Sequence, residues 1–315
     1  MANCHTLFIQ FNDNLKVTNS KRESLQKSKD ELRKVITKWF KDNQPQYVPE
    51  FFIQGSYKMK TLIRTKDDTC DLDDGIHFNC KPDVTPNTLK SWVYQAVKDH
   101  TTGGAQNKTK CVRVVYKNDY HIDLPIYKKE DNDDYPWLAV KNKQWDEEES
   151  DPKGFVDWYN EKKSNQMTRM IRCLKSWGDH VRNNMLSGLA MTLLAEDNLD
   201  SNDRDDIALK DILVSMKNEL EDSWELHMPV SPEDDVLDRY DEDFQYRFFS
   251  RLDKFIEDAE AAIDEESQLK ASRLWRKHLG QRFPLGEDST EKEKSNLSSL
   301  HGIAATGTYK PYGDE

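Results

Sequence analysis

The chain has 315 residues and a formal net charge of −12, with 36% of its residues hydrophobic and 33% charged. That is enough apolar material for one large domain or two packed lobes under a heavily charged surface. The acidic balance argues against a general binder of duplex DNA or RNA, whose affinity comes mostly from Lys and Arg neutralising phosphates. Cys4, Cys70, Cys80, Cys111 and Cys173 are scattered without a CxxC pair, which speaks against a structural zinc site and fits a reducing cytoplasm. The opening MANCHTLFIQF lacks a basic segment followed by a long apolar run, so no signal peptide is expected, and no stretch reaches the roughly 18 apolar residues of a membrane span.

In chain order, Leu25, Leu32, Val35, Ile36 and Trp39 recur at helical spacing and predict a first helix from about Ser20 to Asp42, closed by Pro45 and Pro49. The apolar run Phe51-Phe52-Ile53 leads into Gly55-Ser56, and DLDDGIHFNC alternates as a strand does. A helix is expected from about Pro86 to His100, with Leu89, Trp92, Val93 and Val97 inward, and TTGGAQNKTK at 101–110 reads as a loop. CVRVVY and HIDLPIY flank Lys117–Tyr120 as a two-stranded hairpin, and 129–154 is acidic and irregular. After residue 155 only helical spacing remains, at about 155–182, 187–198, 204–223, 242–264 and 266–279. Strands first and helices afterwards predict an α+β lobe beside a helical lobe. The boundaries expected are 1–154, 155–285 and a polar, flexible tail at 286–315.

The residues that carry chemistry are acidic. Asp71 and Asp73 stand two apart in a strand, so they face one side. Hard carboxylate oxygens at neighbouring heights suit magnesium, which is usually held by one or two carboxylates plus substrate phosphates. If the strand carrying Asp123 neighbours the first, Asp123 completes a three-carboxylate site for two ions. Among 58 acidic residues an Asp-x-Asp also arises by chance; its position inside apolar strands, where a lone carboxylate is costly, favours function. Alternation turns Asp74 to the opposite face, and Asp67-Asp68 falls in a loop, expected to be solvated. His121 is read as alternating away from Asp123 and as structural. Gly55 allows close backbone approach to a phosphate that Ser56 could hold, although a Gly-Ser pair is more often a helix cap.

Gly-Ser in QGSYKMKT, Asp-x-Asp in DLDDGIHF and a third Asp in HIDLPIY together resemble the polymerase-β-like nucleotidyltransferases. SDP at 150–152 with Trp158, RMIRCLKSW, SGLAMTLLA and LWRKHLGQRFP extend the likeness over about 20–285, to the cyclic-oligonucleotide synthases of bacterial anti-phage systems. The resemblance implies a nucleotidyltransferase lobe with a mixed sheet, packed against a C-terminal helical lobe, with the active-site cleft between them. It implies two magnesium ions, with manganese as a substitute, and ATP and GTP as substrates joined into a cyclic di- or trinucleotide with release of pyrophosphate. It also implies that Lys175 and Ser187 contact the donor triphosphate, Arg172 being a weaker candidate. From the residues alone, Lys175 flanks an apolar stripe and Ser187 reads equally as an N-cap. The zinc-ribbon insertion of the animal DNA sensor and any large basic run are missing, so no DNA activator is expected, and the tail is a candidate handle for a protein partner. A linear nucleotidyltransferase acting on RNA or protein, and a non-catalytic nucleotide-binding module, are the competing readings.

Overall fold

The computed structural model of the chain describes residues 1–79, 83–117 and 119–287. Its elements are α1 (His5–Leu15), α2 (Asn19–Asn43), β1 (Glu50–Gln54), α3 (Gly55–Met59), β2 (Cys70–Phe78), α4 (Pro86–Val97), β3 (Ala105–Asn107), β4 (Val112–Tyr116), β5 (Tyr120–Leu124), β6 (Ile126–Lys128) and β7 (Trp137–Leu138). Six helices follow: α5 (Pro152–Lys162), α6 (Asn165–Val181), α7 (Gly188–Asp197), α8 (Asp205–Asp222), α9 (Glu242–Asp264) and α10 (Gln268–Leu279). The expected α+β class and the strand-then-helix order are what the molecule has. Beyond Glu287 the expected tail, and with it the partner handle, lies outside the described residues.

One mixed sheet runs β3-β4-β5-β2-β6-β7, with β1 paired to the other side of β2. β2 is the hub because its alternate residues pack apolar side chains into one face: Leu72, Ile76 and Phe78 are fully buried. Two helices cover that face. α2 contributes Leu25, Leu32, Ile36 and Phe40, and α4 contributes Leu89, Val93 and Val97, all in one core with the strands. Asp74 points to this covered face, as alternation requires, and is neutralised there by Arg33 of α2, whose Nε donates to Asp74 Oδ2 at 2.8 Å. The opposite face, carrying Asp71 and Asp73, looks toward the helical lobe.

β5 and β6 both run parallel to β2 on the same side, interrupted at Pro125. Proline lacks the N–H a ladder needs, yet its carbonyl still accepts from Ile76 N–H at 2.8 Å, so the pairing resumes beyond it.

Three differences from the expected elements have simple causes. The segment 101–110 contains an edge strand, β3, because it pairs antiparallel with β4. The helix expected over 155–182 is two helices, divided where the Ser164 side chain caps α6 by accepting from Met167 N–H at 2.9 Å. Asp67 and Asp68 lie exposed in a loop, as expected, and pair there with Arg182 and with Arg64 and Arg282 respectively. The N-terminus holds a helix that was not expected. Leu7, Phe8, Phe11 and Leu15 of α1 belong to the helical core, where Phe8 meets Trp275 and Phe283 edge-on at 5.0 Å in each case. The division expected at residue 154 therefore does not describe the first helix, which precedes α2 in the chain but packs among the C-terminal helices.

Candidate active site

A cleft of about 1000 Å³ opens between the sheet and the helical lobe, and Gln54, Gly55, Ser56, Asp71, Asp73 and Lys175 line it. The sheet register builds its acidic floor. β2 and β5 pair so that Asp73 stands directly beside Asp123, and Asp71 beside His121. Asp71 and Asp73 share a face by period-two alternation, so the three carboxylates expected to act together are brought to one patch.

Their charges are not fully met by the protein. Burial holds the Asp73 carboxyl well above the usual carboxylate range, and repulsion from Asp71 and Asp123 adds to it, against the attraction of Lys175 and Arg113. Asp123 differs: Arg113, its cross-strand partner on β4, forks both its oxygens, with Nε to Oδ1 at 2.8 Å and Nη2 to Oδ2 at 2.7 Å. Sequence reading missed Arg113, although the hairpin pairing that sets Tyr116 against Tyr120 also sets Arg113 against Asp123. His121 corrects the expectation made for it. Residues two apart on a strand share a face, so His121 points the same way as Asp123; burial first, then Arg113, lowers its pKa, while Asp123 and Asp71 oppose that shift.

The phosphate-binding candidates stand around this floor. Gly55 has a φ of +62°, and a Cβ there would sit 2.2 Å from Asp73 Oδ2, so only glycine lets the turn into α3 pass against the carboxylate. Ser56 follows in α3, its carbonyl accepting from Thr61 and Leu62 N–H at 2.9 and 3.1 Å, which fixes the turn. Lys175 reaches in from α6, and its Nζ donates to Thr61 Oγ1 at 3.0 Å. Burial pulls its pKa down to about 8 against the attraction of Asp71 and Asp73. Gly188 gives room for it: a Cβ at Gly188 would be 3.3 Å from Lys175 Cε. Ser187 caps α7, its side chain accepting from Ala190 N–H at 3.2 Å, which is the N-cap geometry.

Arg172 does not join the site. It is buried, and its guanidinium donates to Asn12 Oδ1 at 2.6 Å and to the Lys60 carbonyl, tying α6 to α1 and to the end of α3. Gln54 and Tyr127 were not singled out from sequence; Gln54 pairs in register with Asp73, and its Nε2 donates to Tyr127 Oη at 2.8 Å.

Hard carboxylate oxygens carrying unmet negative charge suit a divalent cation. Among the described residues no group of three or more His, Cys, Asp or Glu side chains is arranged to hold a metal ion. Magnesium is usually held by one or two carboxylates with substrate phosphates completing its shell, and Asp71 and Asp73 are two carboxylates that line the cleft.

Residues 49–127 match the family model described as cyclic GMP-AMP synthase DncV-like, nucleotidyltransferase domain. A cyclic GMP-AMP synthase of Escherichia albertii is 26% identical over 200 residues, covering 58% of this chain and 44% of that protein. The chain's match thus spans less than half the length of this relative. Among solved structures, the Vibrio cholerae DncV cyclic AMP-GMP synthase has a TM-score of 0.76 at 17% identity, covering 90% of this chain and 97% of that one. The same enzyme with the linear intermediate 5′ pppA(3′,5′)pG gives 0.77 at 17%, covering 90% and 99%. Escherichia coli DncV with 3′-deoxy GTP gives 0.74 at 17%, covering 86% and 93%. At these identities the likeness is one of fold, and it extends through both lobes. Residues 49–127, which carry Asp71, Asp73 and Asp123, thus resemble the nucleotidyltransferase domain of the DncV-like cyclic GMP-AMP synthases.

Proposed function

We propose that this protein is a magnesium-dependent synthase that joins nucleoside triphosphates, ATP and GTP, into a cyclic di- or trinucleotide signal in bacterial anti-phage defence. The observation that carries the reading is the parallel register of β2 and β5, which sets Asp123 beside Asp73, while Asp73 lines the cleft with Asp71 and Lys175. In the reaction the acceptor hydroxyl oxygen bonds to the donor α-phosphorus, the bond to the β-phosphate bridge breaks, and pyrophosphate leaves. Asp71 and Asp73 are the residues to hold divalent cations, whose charge would offset that developing on the phosphates. Asp123, forked by Arg113, would be the third carboxylate available to a second ion. Ser56 and Lys175 hold the donor triphosphate, assisted by Ser187 and the first turn of α7, and Gly55 keeps the backbone close to the carboxylates. The proton of the attacking hydroxyl has carboxylate acceptors at hand in Asp73 and Asp123. The 1–154 and 155–285 lobes then act as two walls of one site, with α1 lent to the second.

No helix among the described residues is long and apolar enough to cross a membrane, which is compatible with the cytoplasmic location we assign. The cleft volume of about 1000 Å³ is ample for two nucleotides. The test is incubation of the purified protein with all four triphosphates and magnesium. Phosphatase-resistant cyclic products are expected. Products only with an RNA or protein acceptor would replace this reading with a linear transferase, and binding without turnover would replace it with a nucleotide-binding module.

A further inference from the structure

We propose that Arg239 is a further ligand of the donor triphosphate, reaching the phosphates from the helical lobe beside the first turn of α7. The inference rests on reading the cleft as a triphosphate site. Arg239 is exposed and lines the cleft together with Lys175 and Gly188. Three carboxylates of its own loop, Asp234, Asp235 and Asp238, line the same cleft, yet among the described residues Arg239 enters no ion pair. Asp235 is committed elsewhere: its Oδ1 accepts from Leu226 and Leu237 N–H at 2.9 and 2.8 Å and holds the loop in shape.

What positions Arg239 is a tyrosine. The guanidinium carbon lies 4.8 Å from the Tyr240 ring centroid, and Nη2 donates to Tyr240 Oη at 2.8 Å. The same Oη accepts from Ser187 N–H at 3.1 Å. The guanidinium is therefore two hydrogen bonds from the start of α7. Behind that first turn, the Lys175 stem lies under Gly188. One face of the cleft thus gathers an ammonium, a guanidinium and a helix N-terminus. An arginine stays charged at every working pH and forks two phosphate oxygens at once, whereas a lysine acts as a point charge. A triphosphate carries several negative charges, and Arg239 supplies a fixed positive one where the helix start points.

Equilibrium binding separates this role from a structural one. With magnesium present, the affinities of a non-hydrolysable nucleoside triphosphate and of the matching monophosphate are measured for the wild type, Arg239→Gln, Arg239→Lys and Tyr240→Phe. A charge-assisted hydrogen bond gives an expected triphosphate loss of about tenfold to a hundredfold in Arg239→Gln. Monophosphate binding should be unchanged, with part of the triphosphate affinity restored in Arg239→Lys and a smaller loss in Tyr240→Phe. Equal triphosphate affinity in wild type and Arg239→Gln overturns the assignment of Arg239 alone. Parallel loss of both ligands also overturns it, making Arg239 a support for the loop. A wild type that binds no triphosphate overturns the reading of the cleft, and this assignment with it.

Discussion

At the scale of single residues, the cleft concentrates negative charge that the protein itself leaves uncompensated. Removing one carboxylate should therefore cost activity without costing stability. Asp71→Ala and Asp73→Ala are expected to lower product formation by about a thousandfold, as loss of charge stabilisation in the transition state does, with a metal-free melting temperature equal to or above wild type. Asp73 also links stability to pH. Its carboxyl keeps a proton in the folded protein at pH values where the unfolded chain, with an ordinary carboxylate, has lost it. Asp73's contribution to the stability of the metal-free protein is then greatest below the usual carboxylate range and declines as pH rises from there through the raised folded value. Asp73→Asn should flatten that decline in denaturant titrations across the acidic range. Asp123→Asn should impair bond formation far more than triphosphate binding, since Ser56 and Lys175 remain; a parallel loss of affinity and turnover would contradict that division. At Gly55 the limit is steric. Gly55→Ala must displace Asp73 Oδ2, 2.2 Å from the new Cβ, at a positive φ. We expect a loss of stability of about 1–3 kcal/mol and activity near that of Asp73→Ala, read by chemical denaturation and product assay.

At the scale of elements, buried cations do the joining. Arg172 ties α6 to α1 through Asn12 and to the α3 exit through the Lys60 carbonyl. Replacing it with methionine leaves those acceptors unmet, for an expected cost of about 2–4 kcal/mol. The folded fraction should still bind triphosphate, which calorimetry below the melting temperature can check. The helices were largely legible in the sequence because their apolar positions recur at 3 and 4: Leu25 to Phe40 in α2 and Phe248 to Ala262 in α9 needed no tertiary information. The three aspartates were legible because two sit at strand period and the third in a second strand. Less was visible where partners lie far along the chain. Arg113 reads as one charged residue in an apolar run until strand pairing sets it on Asp123. Ser164 divides a helix through a cap that competes with continued periodicity. The role of Arg239 depends on a loop whose shape comes from Asp235 accepting two backbone N–H groups, which spacing alone does not express.

At the scale of the whole molecule, the helical lobe closes with residues past the last helix. Phe283 is fully buried, and Gly286 N–H donates to the buried Ser272 Oγ at 2.9 Å. A cut after Leu285 would strip that bond, so the informative truncation is after Glu287. That variant keeps every described residue after α10, and it is expected to melt within a few degrees of the full chain and to retain basal synthesis. A fall in the in-vitro rate of more than about tenfold, measured with the truncated protein fully folded, would show that residues 288–315 take part in the chemistry.

The first helix carries a consequence for how the protein comes off the ribosome. Cys4 N–H donates to Asp206, 202 residues later, and Phe8 rests on Trp275 and Phe283. These contacts join residues about 200 to 270 positions apart in the chain, so α1 waits for partners made much later. At elongation rates of about 5–20 residues per second, α1 remains without its native neighbours for tens of seconds, with Phe8 and Phe11 open to chaperones. The nucleotidyltransferase lobe can assemble during that time from local pairings, and the cleft forms only when the C-terminal helices emerge and draw the N-terminus in. A nascent chain interrupted before α5 would accordingly hold its three aspartates on a finished sheet, facing no second wall.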